Sequence, residues 1–520
     1  MLTTDPFSSE HLPQMKKLLL FIFSTVAFTL RLAAQDQPNV ILMIADDIGF
    51  SDLGSYGSEI ETPNLDKLAY GGLRFTQFYN MAKCETTRSA LHTGRFLKGK
   101  HIENAIPFST LMANSGYYTA MVGKEHFTSW VPARCFAVNA FHDSFVFYKI
   151  NSFFVRPETG QFEYPFRLNG IRIDPEDMDV HQKPLFKTDV MTNYALSYID
   201  KANDNNQPFF LYLPFHVAHY PLQARPEDIA KYRGKYKIGW DVLREQRLKR
   251  QKEMGLVPAD TVLSPPEANI NKFRGPYRGN IYKYRPWDSV DEAEQDELDL
   301  EQSVFAAMID RMDQNIGRIV QKLEDIKERD NTLILFFTDN GSCPYDSNVD
   351  FAVPPGPAEG YRTLSAAWAL VGDTPFRYFK QYGHEGGTHT HLIANWPSTI
   401  NPGLNHDMAH LTDIYPTMLE LAGTEYPDTL DGKPTPTLDG ESMVPLFKGE
   451  SRAEPDIIIS GFTDRFRMVR VGDWKIVKVN GDDWELYNLK NDPTELNDLA
   501  NQNPTKLKEL EKAYLDYQKT

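Results

Sequence analysis

Three stretches of this 520-residue chain carry side chains whose types and spacing could do chemistry. The first runs from Lys83 to Arg95 and reads Lys-Cys-Glu-Thr-Thr-Arg-Ser-Ala-Leu-His-Thr-Gly-Arg; it holds one of only three cysteines. A Cys shortly before a fixed cation could be a nucleophile whose thiolate Arg88 stabilises, although a lone Cys is more commonly a small buried hydrophobe. The second is Asp46-Asp47. Two adjacent carboxylates repel each other when left alone and make sense around a hard divalent cation, with a solvated acidic turn as the plainer alternative. The third is Asp339-Asn340-Gly341, again a run of oxygen ligands. His389 and His391 form a His-x-His pair of the kind that binds transition metals, but no third ligand stands near them, so a supporting or packing role is expected.

The elements that must position these groups are legible from periodicity. Asn39-Val40-Ile41-Leu42-Met43-Ile44-Ala45 is a continuous apolar run, predicted as a central strand that delivers Asp46 and Asp47 at its C-terminal end, where open α/β sheets place ligands. Leu333 to Thr338 repeats the pattern and ends in Asp339. Between them, Gly116 to Val122 and Phe209 to Leu213 read as further strands. Phe305, Met308, Ile309, Met312, Ile316, Ile319, Val320, Leu323 and Ile326 recur at helical spacing and predict an amphipathic helix that packs one face on the sheet. Thr62 is expected to cap a helix that begins at Pro63. Residues 136–190 show no sustained period and read as an irregular insertion near the substrate mouth. The cationic stretch within 231–290 reads as a solvated helix face. His410 to Ala422 is predicted as a helix stopped by Gly423. Residues 424–453 read as a linker, and 454–520 as a small unit of short strands and a final helix. The fold class is therefore α/β: a large mixed sheet between helices, with a small antiparallel C-terminal subdomain.

Hydrophobic residues at 41% and aromatics at 12% exclude wholesale disorder. A net charge of -16 argues against a nucleic-acid partner and requires any anion site to be a local cluster of cations. Residues 1–34 read as an export signal, with Met15-Lys16-Lys17 as a basic start, an apolar Leu18 to Leu30 and small Ala33-Ala34; Met15 is a candidate true start. The apolar run has signal-peptide length, so a periplasmic or secreted protein without a stable membrane anchor is expected. With Cys84, Cys135 and Cys343 only, disulfides do not organise the fold, and whether Cys135 and Cys343 pair stays open.

The three stretches also carry a family resemblance. Cys84, Arg88, Leu91, Thr93, Gly94 and Arg95 resemble the sulfatase signature C-x-P-S-R-x-x-x-L-T-G-R, with Thr86 in place of Pro. Asp46-Asp47, Gly49, Asp52-Leu53-Gly54, Tyr56-Gly57 and Thr62-Pro63-Asn64-Leu65-Asp66 resemble the sulfatase opening, and Asp339-Asn340-Gly341 its second metal-binding element. Gly123-Lys124-Glu125-His126 is similar to the family's G-K-W-H, with Glu125 for the aromatic. His219 matches the histidine of P-H-x-P, with Ala218 for Pro, which leaves His216 as a structural residue. Lys380 and Glu385-Gly386-Gly387 resemble K-x-x-x-x-E-G-G, and His391 stands where the family has Pro. Gly472-Asp473-Trp474-Lys475 and Glu485-Leu486-Tyr487-Asn488-Leu489 resemble the C-terminal subdomain.

The resemblance implies hydrolysis of a sulfate monoester on the fold of the alkaline phosphatase superfamily. Asp46, Asp47, Asp339, Asn340 and the modified Cys84 would hold Ca²⁺, with Mg²⁺ as second choice, and Cys84 would become formylglycine through a formylglycine-generating enzyme. Arg88 and Lys124 would stabilise that side chain, His126 would assist sulfate elimination, and His219 with Lys380 would bind sulfate and protonate the leaving oxygen. The substrate would be an aryl sulfate or a sulfated glycan. Two alternatives are a phosphonate or phosphate ester hydrolase on the same architecture and a non-catalytic binder of sulfated glycans.

Overall fold

A computed structural model describes residues 37–97, 104–126, 139–148, 152–155, 166–173, 185–266, 284–345, 347–348, 351–463, 466–479 and 482–519. The export signal and Cys135, and with it the Cys135–Cys343 question, lie outside the described residues; Cys343 is a buried free thiol.

The main sheet has eleven strands: β1 (Asn39–Ala45), β2 (Leu73–Tyr79), β3 (Tyr118–Lys124), β4 (Asp143–Phe147), β5 (Phe166–Leu168), β6 (Ile171–Ile173), β7 (Phe209–Pro214), β8 (Thr332–Thr338), β9 (His389–Asn395), β10 (Gly403–Asn405) and β11 (Ala409–His410). Their spatial order is β10-β2-β9-β8-β1-β7-β3-β4-β5-β6, with β11 also on β2. Strand β1 lies between β8 and β7, parallel to both, which is why every one of its positions is buried and none is polar beyond Asn39. Its side chains alternate. Ile41, Met43 and Ala45 enter one core with Phe305, Met308, Ile309, Met312 and Ile316 of the long helix Glu292–Asp325. Val40, Leu42 and Ile44 enter the other with Ala90 and Leu91 of the helix Cys84–Thr93 and with Tyr415 and Met418. The sheet is thus covered on both faces.

Several expectations need correction. Thr62 does not cap the helix Pro63–Tyr70; its hydroxyl instead accepts from the Gly54 N–H and donates to Asp66. Asp313, from the long helix, takes the Asn64 and Leu65 N–H groups at 3.1 and 2.7 Å, a partner that local sequence cannot announce. The stretch 136–190 is not all irregular: β4 runs through it parallel to β3, and the helix Lys187–Asp204 begins in it. The cationic helix Trp240–Glu253 is not simply solvated, because Arg244 and Arg247 are buried. Residues 424–453, expected as a linker, lend Met443, Val444, Leu446 and Phe447 to the second core.

The C-terminal sheet is an antiparallel meander of β12 (Ile458–Thr463), β13 (Phe466–Val471), β14 (Trp474–Val479) and β15 (Glu485–Asn488), followed by the helix Pro504–Lys519. Its Met468, Val469 and Ile476 join the second core and its Val477 and Tyr487 the first.

Candidate active site

The register pairs Ala45 of β1 with Thr338 of β8, so Asp46-Asp47 and Asp339-Asn340 leave the sheet side by side. Successive strand residues point to opposite faces; Asp47 adopts a left-handed φ of 66°, which breaks that alternation just where two acids follow each other. All four side chains are buried. One oxygen of each carboxylate is committed to a cation. Asp46 Oδ2 accepts from Lys124 Nζ at 2.5 Å. Asp47 Oδ1 accepts from Asn340 Nδ2 at 2.7 Å and pairs with Lys380. Asp339 Oδ2 takes Arg88 Nε and Nη2 at 3.1 and 2.7 Å. The other four oxygens, Asp46 Oδ1, Asp47 Oδ2, Asp339 Oδ1 and Asn340 Oδ1, are buried without a hydrogen-bond partner.

Orphaned buried oxygens in such number are costly unless something supplies positive charge to them. An all-oxygen donor set is what a hard divalent cation takes, so the residues fit such an ion. Cys84 Sγ joins Asp46 and Asp339 in a group whose ligand atoms lie within 4.8 Å of one another. As a thiol it is a poor partner for a hard ion, and its sulfur marks the place an oxygen-bearing derivative would occupy. Although burial alone would raise both, Lys124 and His219 hold Asp46 well below the usual carboxylate range, and Lys380 and His219 lower Asp47. Burial and the neighbouring Asp46 charge push Asp339 well up despite Arg88.

Cys84 opens its helix, which follows an extended Lys83 and ends at Gly94 with a left-handed φ of 65°. Thr86, which stands where the signature has Pro, donates its hydroxyl to the Lys83 and Met81 carbonyls at 2.9 and 3.1 Å. Thr87 donates to the Asp339 carbonyl at 2.6 Å, tying this helix to the second acidic segment. His126 Nδ1 lies 3.3 Å from Cys84 Sγ; burial, with Lys124 and Arg88 nearby, pushes its pKa down to about 3. His219 Nε2 lies 3.7 Å from Asp47 Oδ2, and burial lowers it to about 4. Every predicted site residue is thus gathered at one end of the parallel strands.

The sequence reading missed His216. Its Nδ1 is 3.0 Å from Asp46 Oδ2 and its ring lies 4.6 Å from that of His219, so it belongs to the site and not only to the core. The available signal was its position directly after an apolar strand, the same signal that marked the Asp pair. His389 and His391 lie outside the group formed by Asp46, Cys84 and Asp339: His389 faces Glu385 Oε2 at 2.7 Å, and His391 stacks on Phe336.

Comparison with known proteins agrees with this geometry. Residues 38–424 match the Sulfatase family, and residues 375–519 match the family described as N-sulphoglucosamine sulphohydrolase, C-terminal. An uncharacterized sulfatase of Schizosaccharomyces pombe is 30% identical over 500 residues, covering 86% of each chain. The arylsulfatase of Klebsiella aerogenes is 28% identical over 461 residues, covering 81% of this chain and 94% of its own. A solved structure of a protein in complex with its substrate D-glucosamine-2-N,6-O-disulfate shares the fold, with a TM-score of 0.60 at 21% identity over 93% of this chain and 98% of that one. A family match over most of the chain, joined to the gathered acids and cations, leads to one conclusion: the chain belongs to the sulfatase family of the alkaline phosphatase superfamily and is a sulfuric ester hydrolase.

Proposed function

We propose that the chain removes sulfate from a sulfated sugar or an aryl sulfate, using a formylglycine made from Cys84 and a hard divalent cation, Ca²⁺ ahead of Mg²⁺. The observation that carries this reading is the set of four buried, partnerless oxygens on Asp46, Asp47, Asp339 and Asn340. The cation would neutralise those oxygens and polarise the sulfuryl group, and a formylglycine at position 84 would supply an oxygen nucleophile. Sulfated sugars are favoured because a fold relative is described with a disulfated glucosamine as its substrate.

The chain's own residues then have separable tasks. Arg88, buried against Asp339, keeps a permanent positive charge behind position 84. Lys124, on Asp46, does the same from β3. His126, neutral and 3.3 Å from Sγ, is placed to take a proton from a hydroxyl at that position. Lys380 and His219, both at Asp47, form the cationic side toward the sulfate. An arriving sulfate ester brings negative charge that raises the His219 pKa, so that it can protonate the leaving oxygen. The reading also includes export to the periplasm or exterior after removal of residues 1–34, maturation by a formylglycine-generating enzyme, a catalytic domain over 38–423 and a C-terminal subdomain over 454–520. Among the described residues no helix is long and apolar enough to cross a membrane.

The test is the tryptic peptide Cys84-Glu85-Thr86-Thr87-Arg88 from protein made in the native host. Its mass distinguishes aldehyde from thiol. Aldehyde together with cation-dependent release of sulfate is expected; undiminished turnover by a protein that carries only the thiol would overturn the formylglycine reading.

A further inference from the structure

Two motifs meet in the fold away from the cation side of the site: Glu385-Gly386-Gly387, just after Lys380, and Gly472-Asp473-Trp474-Lys475 of the C-terminal sheet. Lys475, on β14, is wholly buried. Its Nζ lies 2.5 Å from Glu385 Oε1 and 2.8 Å from Glu495 Oε1. Glu385 Oε2 receives the Tyr79 hydroxyl at 2.8 Å, and Glu495 Oε2 accepts the Glu385 backbone N–H at 2.8 Å. The same segment is gripped at two further points by the C-terminal subdomain. Arg377 Nη1 donates to the Tyr487 hydroxyl at 2.9 Å, and His384 Nε2 lies 2.8 Å from Glu485 Oε2.

The opposite side of this segment touches the catalytic loops. The Lys380 N–H donates to the Ser342 carbonyl at 3.1 Å, and the Gln381 N–H to the Ala82 carbonyl at 2.7 Å. Lys380 Nζ itself pairs with Asp47. The turn that begins at Glu385 packs closely on the residues to either side of Lys380. A Cβ on Gly386 would come within 2.2 Å of the Tyr378 carbonyl oxygen, and one on Gly387 within 2.1 Å of the Tyr382 carbonyl oxygen, so the segment is folded tightly on itself. A displacement at Glu385 is therefore expected to be felt at Lys380.

We propose that Lys475 is a positioning residue: from the C-terminal subdomain it fixes, through Glu385, the place of the Lys380 ammonium beside Asp47, so that docking of the C-terminal sheet is a condition of catalysis. This rests on the reading of Lys380 as a sulfate-side cation. It gives the C-terminal motif a task in the reaction.

A double-mutant cycle on the full chain with nitrophenyl sulfate tests it. Lys475→Met is expected to lower kcat/KM on the order of 10–100-fold, the range found when a residue supporting a site ligand is lost. Lys380→Ala should cost at least as much, and adding Lys475→Met to Lys380→Ala should cost almost nothing further. Losses that multiply in the double variant, or a folded Lys475→Met enzyme with wild-type kcat/KM, would overturn the proposal. Normal kcat/KM for Lys380→Ala alone would reject the sulfate-side reading, and the inference with it, so the two failures are told apart. Because Lys475→Met strands two buried carboxylates, the pair Lys475→Met with Glu495→Gln serves as a second variant. It is expected to recover thermal stability without recovering kcat/KM; recovery of both together would reduce Lys475 to a structural residue.

Discussion

Asp47 and Asp52 lie on one loop and are equally buried, yet the molecule treats them in opposite ways. Asp52 is saturated. Its Oδ1 takes Arg247 Nη1 at 2.7 Å, and its Oδ2 accepts the Gly49 N–H at 2.9 Å and faces the Ser342 hydroxyl at 3.3 Å. Arg247 in turn is spread over Asp52, Ser51 and both oxygens of Glu59. Asp47, like Asp46 and Asp339, has one paired oxygen and one orphan. Burial and a cationic partner are common to both clusters and so cannot mark a site. What distinguishes them is how fully the oxygens are used: both oxygens of Asp52 are bonded and brace the loop, while Asp46, Asp47 and Asp339 each keep one buried oxygen without a hydrogen-bond partner.

The largest expected effect separates the two clusters by activity. Asp339→Ala should leave the circular dichroism spectrum intact and lower kcat/KM by about a thousandfold, since a cation ligand supports several kcal/mol of transition-state charge stabilisation. Normal turnover by an Asp339→Ala preparation would remove the distinction. The converse variant is Arg247→Met. Stranding Asp52 and Glu59 should cost about 3–5 kcal/mol of stability, the usual consequence of breaking a buried pair from one side, and should appear as a lower urea midpoint. If the midpoint holds, the Asp52 cluster is not the brace described.

Smaller in scale is His219→Ala. If His219 protonates the leaving oxygen, a sugar sulfate should lose about a hundredfold in kcat/KM, within the range of general acid catalysis. Nitrophenyl sulfate, whose leaving group is stable without a proton, should lose far less. Equal losses would confine His219 to sulfate binding.

How much of this was legible in sequence follows from the range of the forces involved. β1 and β8 were readable because a strand buried on both faces must be apolar throughout, and the acidic ends came with them. The amphipathic helix was readable as well, yet it runs from Glu292 to Asp325; its first turns, up to Glu297, bury no residue and so carry no apolar period. Asp313 as the partner of the Pro63 helix and Arg247 as the partner of Asp52 were hidden, since both contacts join residues distant in sequence. Thr86 in place of Pro looked like a defect in the signature; the folded chain uses its hydroxyl on two carbonyls at the start of the helix that bears Cys84. His216 was set aside because resemblance picked out His219 alone, and only the approach of its ring to Asp46 puts it in the site.

A further effect, spread over pH, concerns buried groups outside both clusters. Burial pushes the imidazoles of His391 and His410 down to about 3. With folded values below the unfolded value of about 6.5, the unfolded chain binds more protons in that window. The stability they contribute is therefore complete above about pH 6.5 and is lost as the pH falls toward 3. Urea midpoints across this range should decline on acidification, and His391→Phe should flatten the decline; an unchanged slope would show that other groups set it.

The central claim is that the four orphaned oxygens await a hard cation, and thermal unfolding of the metal-stripped full chain against Ca²⁺ tests it most directly. A ligand that binds only the folded state at a hundred times its dissociation constant adds about 2.7 kcal/mol. The account predicts that the midpoint of the wild-type chain rises with Ca²⁺, less strongly with Mg²⁺, and that Asp47→Ala abolishes the rise. A midpoint indifferent to both ions, or a rise that survives Asp47→Ala unchanged, would contradict it.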